Sequence, residues 1–345
     1  MLLMVVMTAA TTSVDCHTYY GTPSILPGGR LKMQTYVTLD SSSKDPVEVG
    51  VEMTALVGQG EPLFDSLPTE PSDGTWDIVD SDGNIIHYVN GHEFELDFKN
   101  NVRGKIPFTH VVANYNPLGH VPVGVYDVPH IDFHFYTISE ADRVKVAQPS
   151  PTEECCLVLP PTPPQGPPFG PVCDVDNPAQ VSPISCSEDD PNLKYVTCDD
   201  YRAYFDGGLA VDQQPPVNPP GGVLFVEVNA AEPAMGSHLV NVLSPELTGA
   251  KPFDYTWIFG KQSCNMSFWE PMITLEYFEK LWEGNGDSGP FPIYPPTHVP
   301  DASVLYPTEY DMTYEGKNTF RVTLLNFVQL QQSNGVCSPS PFCAT

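Results

Sequence analysis

Apolar and polar residues alternate along much of the chain, which is the pattern of half-buried strands. Residues 28–58 contain two such runs, one through Leu31 and Met33 and the next through Val49 and Val51. This pattern predicts a strand pair, because successive side chains of a strand point to opposite faces. The same reasoning predicts further strands at 121–126, 130–137, 223–229, 253–260, 264–269 and 319–329.

A hairpin is predicted between Asp77 and Phe98, where two strand-like runs flank the segment Asp80–Asn84. The Asp-Gly pair inside that segment is a strong hairpin signal. The same segment resembles the start of a calcium loop, but the remaining acidic ligands and the closing glutamate at EF-hand spacing are missing. We therefore favour the turn.

Two short helices are predicted to interrupt the strands. Residues 139–146 begin with a Ser-Glu-Ala-Asp sequence that is typical of a helix N-terminus. Residues 271–282 carry proline at the first helical position, apolar residues on one face and Gly284 as a stop signal. So few helices among so many strands predict a mainly β protein, a single sandwich or barrel-like domain.

The composition changes between residues 149 and 221. This stretch holds two proline-rich runs with acidic residues between them, and five of the nine cysteines. Proline makes up 38 of the 345 residues, roughly twice the usual share of about 5%, and this disfavours a mainly helical fold. We interpret 149–221 as an insertion pinned by its cysteines, with 20–148 and 222–330 as two halves of one β domain and 331–345 as a tail.

The charge excludes some partners. With 15 basic and 43 acidic residues the formal net charge is −28, which would repel phosphate groups and disfavours nucleic acid as a partner. Residues 1–15 resemble a truncated signal peptide without its positively charged start. No other apolar run is long enough to span a membrane. The chain is therefore predicted to be secreted or to lie in the cell envelope.

The cysteines agree with an oxidising compartment. None of them has the two-residue spacing of a zinc knuckle, so we expect disulfides. Cys337 and Cys343 are one candidate pair, which would close a small loop at the C-terminus.

Candidate chemistry centres on the run Pro129–Tyr136. If this run is a strand, His130, Asp132 and His134 share one face and an apolar set occupies the other. Imidazole and carboxylate together suit a divalent transition metal such as zinc, iron or manganese. A rise of about 3.3 Å per residue separates the two histidines by roughly 13 Å, so one ion binds both only if the strand is bulged. Otherwise one pair binds and the third residue orients an imidazole.

Two later residues are candidates to complete a mononuclear site. His238 follows a glycine turn, and Glu270 lies where a strand meets the predicted helix. His120 is a more distant candidate. The alternative is that these histidines and Asp132 form a hydrogen-bonded cluster that only stabilises the fold.

Six short motifs occur in order along the chain: Gly50–Thr54, Gly119–Tyr126, Pro129–Tyr136, Met235–His238, Phe259–Gly260 and Trp269–Thr274. Together they resemble an uncharacterised family of secreted bacterial proteins, typified by a ring-forming Thermus protein under the control of an extracytoplasmic sigma factor. The resemblance covers most of 25–150 and 222–282. It implies a secreted homo-oligomer and supports one site made of the motif residues, but it implies no established activity.

A second resemblance is to the cupin barrels. The His-x-Asp-x-His run at 130–134 and the Pro-x-x-Gly-x-His run that ends at His238 are similar to cupin metal motifs, although their spacing differs and the usual His-x-His pair is absent. Signatures of other enzymes do not occur: there is no nucleophile elbow, no phosphate-binding glycine loop and no His-Glu-x-x-His helix.

These observations leave three hypotheses. The first is a secreted metal-binding β protein of unestablished activity, whose metal would polarise a carbonyl group or activate water. The second is a non-catalytic oligomeric envelope or cell-surface protein with a structural His/Asp cluster. The third is a carbohydrate- or small-molecule-binding sandwich that uses exposed aromatic residues such as Tyr19, Tyr20 and Trp76.

Overall fold

The computed structural model describes residues 15–25, 29–58, 63–65, 67–70, 78–79, 85–87, 91–120, 122, 124–143, 148–149, 195–196, 207–217, 222–232, 235–262, 264–287 and 289–339. The strands are β1 (Cys16–Tyr20), β2 (Ser24–Ile25), β3 (Leu31–Asp40), β4 (Pro46–Ala55), β5 (Ile78–Val79), β6 (Ile85–His87), β7 (His92–Asp97), β8 (His110–Asn116), β9 (His130–Tyr136), β10 (Gln148–Pro149), β11 (Tyr195–Val196), β12 (Gly207–Ala210), β13 (Phe225–Glu232), β14 (Gly236–Asn241), β15 (Tyr255–Gln262), β16 (Asn265–Thr274), β17 (Phe291–Pro292), β18 (His298–Val299), β19 (Leu305–Gly316), β20 (Thr319–Gln329), β21 (Gln331–Gln332) and β22 (Cys337–Pro339). The helices within these ranges are α1 (Glu140–Arg143) and α2 (Leu275–Trp282), with short 3-10 turns at Asn100–Val102 and Val211–Gln213.

Most of the strands belong to two antiparallel sheets of seven strands each. Sheet A has the order β1-β3-β4-β20-β19-β17, with β2 beside β3, and sheet B has the order β13-β14-β15-β16-β9-β8-β7. Strands from early and late in the chain meet in sheet A, where β4 pairs with β20. The two sheets pack as a sandwich and do not close into a barrel. The prediction of a mainly β protein is therefore confirmed.

The core lies between the sheets, because each strand turns its alternate apolar residues inward. On β9, Ile131, Phe133 and Phe135 are fully buried in this core. Trp269 of β16 and Val51 of β4 join the same core from sheet B and sheet A. The outward face of β9 is polar, yet it is buried as well. Because buried polar groups are costly unless they are paired, this outward face is the candidate site.

Most of the predicted strands are confirmed. β3 and β4 form the expected pair, and β9, β13, β15, β16 and β20 lie on the other predicted runs. β5 and β6 pair on either side of residues 80–84, as the hairpin prediction requires, although these turn residues lie outside the described ranges. The strand predicted at 121–126 is wrong. Its described residues form a turn, in which two backbone amides donate to the Pro122 carbonyl.

Helix α2 begins later than predicted. Residues 271–274 continue strand β16, since their backbone pairs with β15 on one side and with β9 on the other. The helix begins only after Thr274, whose hydroxyl accepts a hydrogen bond from the Tyr277 amide at 3.1 Å. Local helix propensity therefore yields to sheet pairing over this stretch. The helix predicted at 139–146 contains α1, and its last residues lie outside the described ranges.

A disulfide within the described residues joins Cys264 to Cys337, which are 73 positions apart. The expected loop between Cys337 and Cys343 is wrong, because Cys337 is already bonded elsewhere. The disulfide ties the start of β16 to β22, which pairs with β12. The apolar N-terminus and the cysteines between 155 and 198 lie outside the described ranges, so the roles assigned to them stay predictions.

Candidate metal centre

The outward face of sheet B carries the residues that were predicted to bind metal. Strand β9 supplies His130, Asp132 and His134, and its pairing with β8 has no register shift along its whole length. Because the strand is regular, these three side chains share one face. Strand β16 supplies Glu270, and β14 supplies His238 from beyond β15. The structure arranges these residues in two groups.

The loop group consists of His120, His130 and Asp132. Nε2 of His130 lies 3.1 Å from Oδ1 of Asp132, and Nε2 of His120 lies 3.5 Å from Oδ2. Nδ1 of His130 faces the Val128 carbonyl at 2.6 Å, so Nδ1 carries a proton and donates it to that carbonyl. The Asn116 amide donates to Oδ2 of Asp132 at 2.7 Å. Oδ1 of Asp132 has no partner in hydrogen-bond geometry among the described residues.

The strand group consists of His134, His238 and Glu270. Nε2 of His134 lies 3.4 Å from Oε1 of Glu270, and Nε2 of His238 lies 3.9 Å from Oε2. Nδ1 of His134 faces the Val112 carbonyl at 3.3 Å, which again assigns the proton to Nδ1. Within the described part of the chain, neither Nε2 of His134 nor Oε2 of Glu270 has a partner in hydrogen-bond geometry, although both atoms are buried.

Both groups have the dimensions of a metal site. The ligand atoms of each group lie within 4.8 Å of one another. Two ligands of a tetrahedral ion with bonds of 2.0–2.1 Å are about 3.3 Å apart, and the shorter carboxylate–imidazole separations above are close to that value. In each group a backbone carbonyl also holds the second nitrogen of one imidazole, an arrangement common to metal-ligating histidines. These buried groups are therefore positioned to hold a metal ion.

Burial controls the protonation of the site. It lowers the pKa of His134 to about 3, so that imidazole is neutral at pH 7 and its Nε2 can bind a cation. Burial raises the pKa of Glu270 well above its usual value, and the Asp132 carboxylate acts in the same direction. Burial raises the pKa of Asp132 too, but His130 and His120 outweigh it and keep that pKa below its usual range. Burial therefore favours the neutral form of the Glu270 carboxyl group, whereas the two histidines favour the ionised form of Asp132.

Aromatic residues enclose both groups. Phe268 of β16 packs against both histidines of the strand group, with its ring centre 5.1 Å from that of His134 and 5.2 Å from that of His238. Phe253 packs against His130 at 5.4 Å and against Tyr126, which lies in the loop after β8. This apolar enclosure lowers the local dielectric constant and so strengthens the interactions between charges inside it.

The structure brings the five predicted residues to one face but divides them between the two groups. The division falls between Asp132 and His134, as the spacing argument expects for a strand without a bulge. His120, the more distant candidate, has its ring centre 4.7 Å from that of His130. No sequence signal identifies Asn116, because its place opposite His130 depends on the pairing of β8 with β9.

Comparison with known proteins adds no relative. No protein-family model, curated protein or solved structure matches the chain. Within the described ranges, neither helix is long and apolar enough to cross a membrane. Since fold alone does not imply function, the functional case depends on the chemistry of the site.

Proposed function

We propose that this chain is a secreted metal-binding β protein whose strand group, His134, His238 and Glu270, holds one divalent transition metal ion. The observation that carries the proposal is the pair of buried atoms without hydrogen-bond partners among the described residues, Nε2 of His134 and Oε2 of Glu270. Leaving such an atom unsatisfied costs about 1–3 kcal/mol. Ionising a carboxyl group in an apolar enclosure costs more. A cation between the two atoms would remove both costs.

The donor set indicates the kind of ion and its chemistry. Two imidazoles and one carboxylate suit zinc, iron or manganese. Three protein ligands leave coordination positions for water or a substrate, which is the arrangement of catalytic rather than structural metal sites. An ion held in this way can polarise a carbonyl group or activate water.

Secretion is supported by a feature outside the metal site. The Cys264–Cys337 disulfide fits an oxidising compartment, where such bonds persist. The alternative function, a non-catalytic oligomeric envelope protein, assigns the same residues a purely structural role. It differs from our proposal in one measurable respect, because it requires no bound metal.

The test is the metal content of the untagged chain, measured by mass spectrometry after incubation with zinc, iron or manganese. Glu270→Gln is the sharpest variant, since glutamine has nearly the size of the protonated glutamate and leaves the metal-free fold intact. We expect the variant to bind the strand-group ion more weakly. Loss of a residue that only supports a ligand typically weakens metal affinity about tenfold to hundredfold, and loss of the ligand itself should weaken it at least as much.

Glu246→Gln is the matched control. Glu246 is also buried, but it accepts a hydrogen bond from the Tyr126 hydroxyl at 3.3 Å and belongs to neither group. This control should bind metal as the wild type does. A wild-type chain that binds no metal, or a Glu270→Gln variant that binds it equally well, would overturn the proposal and favour a structural cluster.

A further inference from the structure

We infer that the loop group, His120, His130 and Asp132, holds a second divalent transition metal ion, and that this ion fastens the loop between β8 and β9 to sheet B. The inference goes beyond the proposed function, because it concerns different ligands and gives the ion a different role. It is carried by the contacts inside the loop group and by the way the loop is built around His120.

His130 and Asp132 present two buried donor atoms at the spacing of metal ligands. Nε2 of His130 and Oδ1 of Asp132 are 3.1 Å apart, and Nδ1 of His130 is engaged with the Val128 carbonyl, so Nε2 is the nitrogen on the side of the carboxylate. Asn116 Nδ2 lies 3.4 Å from this Nε2. His130 is fully buried and Asp132 is 4% exposed, so bulk water screens charges at this site only weakly. A cation between the two atoms would have an imidazole nitrogen and a carboxylate oxygen as ligands.

Asn116 fixes the other half of the carboxylate. Its amide donates to Oδ2 of Asp132 at 2.7 Å, which orients the carboxylate and leaves Oδ1 without a hydrogen bond among the described residues. Asn116 is the last residue of β8, and His130 is the first residue of β9. The hydrogen bond from Asn116 therefore connects the end of β8 to the loop group, beside the start of β9.

His120 brings the loop itself into the group. Its backbone amide donates to the Tyr126 carbonyl at 3.0 Å, which holds the loop closed. The preceding residue, Gly119, has φ +67°, and a Cβ there would overlap the Tyr126 carbonyl and the Val128 amide. Only glycine fits this backbone without strain. An ion bound by His120 would thus cross-link a folded loop to β9.

The test uses the full chain, stripped of metal and reloaded with zinc. Zinc per chain is measured by mass spectrometry, and hydrogen exchange is followed in peptides that cover residues 117–129. The variants His120→Ala and His238→Ala are matched, because each removes the more exposed histidine of its group, with side chains 23% and 13% exposed. His120→Gln provides a second variant if alanine disturbs the loop.

We expect two zinc ions in the wild type and one in each variant. Zinc should slow exchange in the loop by about tenfold in the wild type and in His238→Ala, but not in His120→Ala. One zinc in the wild type that is lost in His238→Ala and retained in His120→Ala would overturn the inference and leave the proposed function standing.

Two further results would also overturn it. A single zinc lost in both variants would mean that one ion is shared by the two groups. Two zinc ions without any slowing of exchange in the loop would refute the fastening role. A wild-type chain that binds no zinc would overturn this inference, and it would also exclude zinc as the ion of the strand group.

Discussion

The histidines on the outward face of sheet B differ in the partners of their imidazole rings, and therefore in whether they are oriented to bind a metal ion. His130 and His134 each turn Nδ1 to a backbone carbonyl and Nε2 to a carboxyl group. His110 of β8 instead stacks on Tyr136, with ring centres 4.9 Å apart and an angle of 7° between the planes. Of these three histidines, only His130 and His134 have the arrangement that is common to metal-ligating histidines.

His110 should make the metal-free protein less stable in acid. Burial, helped by the charge of Arg143, lowers the pKa of His110 to about 4, whereas an unfolded histidine titrates near 6.5. Below pH 6.5 the unfolded chain therefore binds a proton that the folded chain excludes, so stability falls as the pH falls towards 4. From pH 7 to pH 5 this residue should remove about 2 kcal/mol from the free energy of unfolding.

Urea unfolding of the metal-free protein at pH 7 and pH 5 measures this effect. His110→Phe keeps the stacked ring and removes the titration, so its stability should fall by about 2 kcal/mol less between these pH values than that of the wild type. His17→Phe, on the exposed strand β1, is the control and should retain the wild-type pH dependence. An equal loss in wild type and His110→Phe would contradict the assignment. His134, whose pKa is also lowered by burial, adds to the slope in all three proteins.

At the scale of elements, the spacing between β15 and β16 positions the strand group. Gly260 of β15 lies opposite Phe268 of β16, and a Cβ on Gly260 would overlap the Phe268 ring. The same ring packs against His134 and His238. The absence of a side chain at Gly260 thus sets the position of the ring on which both histidines rest.

Gly260→Ala should therefore weaken metal binding without changing a ligand. The added methyl group pushes Phe268 towards the two histidines, and overpacking of this kind costs about 1–3 kcal/mol of stability. We expect zinc affinity at the strand group to fall at least about tenfold, which corresponds to 1.4 kcal/mol. Isothermal titration with zinc, beside thermal unfolding, measures both effects.

Gly50→Ala is the matched control for that prediction. Its Cβ would overlap the Val322 carbonyl and the Tyr36 ring, so it too overpacks a strand, but in sheet A. Stability should fall as in Gly260→Ala while zinc affinity stays at the wild-type value. Similar zinc affinities in the two variants would show that Phe268 does not position the ligands.

At the scale of the whole molecule, long-range pairing holds the sandwich together. Among the described strands, β1–β4 lie in sheet A, β7–β9 and β13–β16 lie in sheet B, and β17, β19 and β20 lie in sheet A again. β4 pairs with β20 in register from Val49↔Leu324 to Thr54↔Thr319. The Cys264–Cys337 disulfide adds a covalent tie between the start of β16 and the C-terminal strand β22.

Removing this disulfide should destabilise the protein without abolishing metal binding. A cross-link across 73 positions restricts the unfolded chain, and the chain-entropy model gives an upper bound of about 4.4 kcal/mol for such a loop. We expect Cys264→Ser with Cys337→Ser to lose about 2–4 kcal/mol in urea unfolding and to keep its metal content. Cys16→Ser, which changes an exposed cysteine outside this bond, should unfold like the wild type. Loss of metal in the double variant would show that the tie also shapes the site.

Sequence by itself determined the class of the fold and the polar face of strand β9. The two-residue period of β3, β4, β9 and β20 is a local property, so it can be recognised in the sequence without knowing which strands pair. This period alone places His130, Asp132 and His134 on one side of β9, whichever strands lie beside it. The same period could not reveal β8, because Val111, Val112 and Ala113 follow one another and interrupt the alternation of polar and apolar residues.

Only the tertiary structure decided which residues meet. His238 and Glu270 reach His134 through the order of β14, β15 and β16 in the sheet, and His120 reaches His130 through the closure of a loop. The raised pKa of Glu270 likewise depends on burial that several strands create together. Distances between residues far apart in sequence are set by pairing, packing and enclosure, and these arise from the whole chain rather than from any one segment.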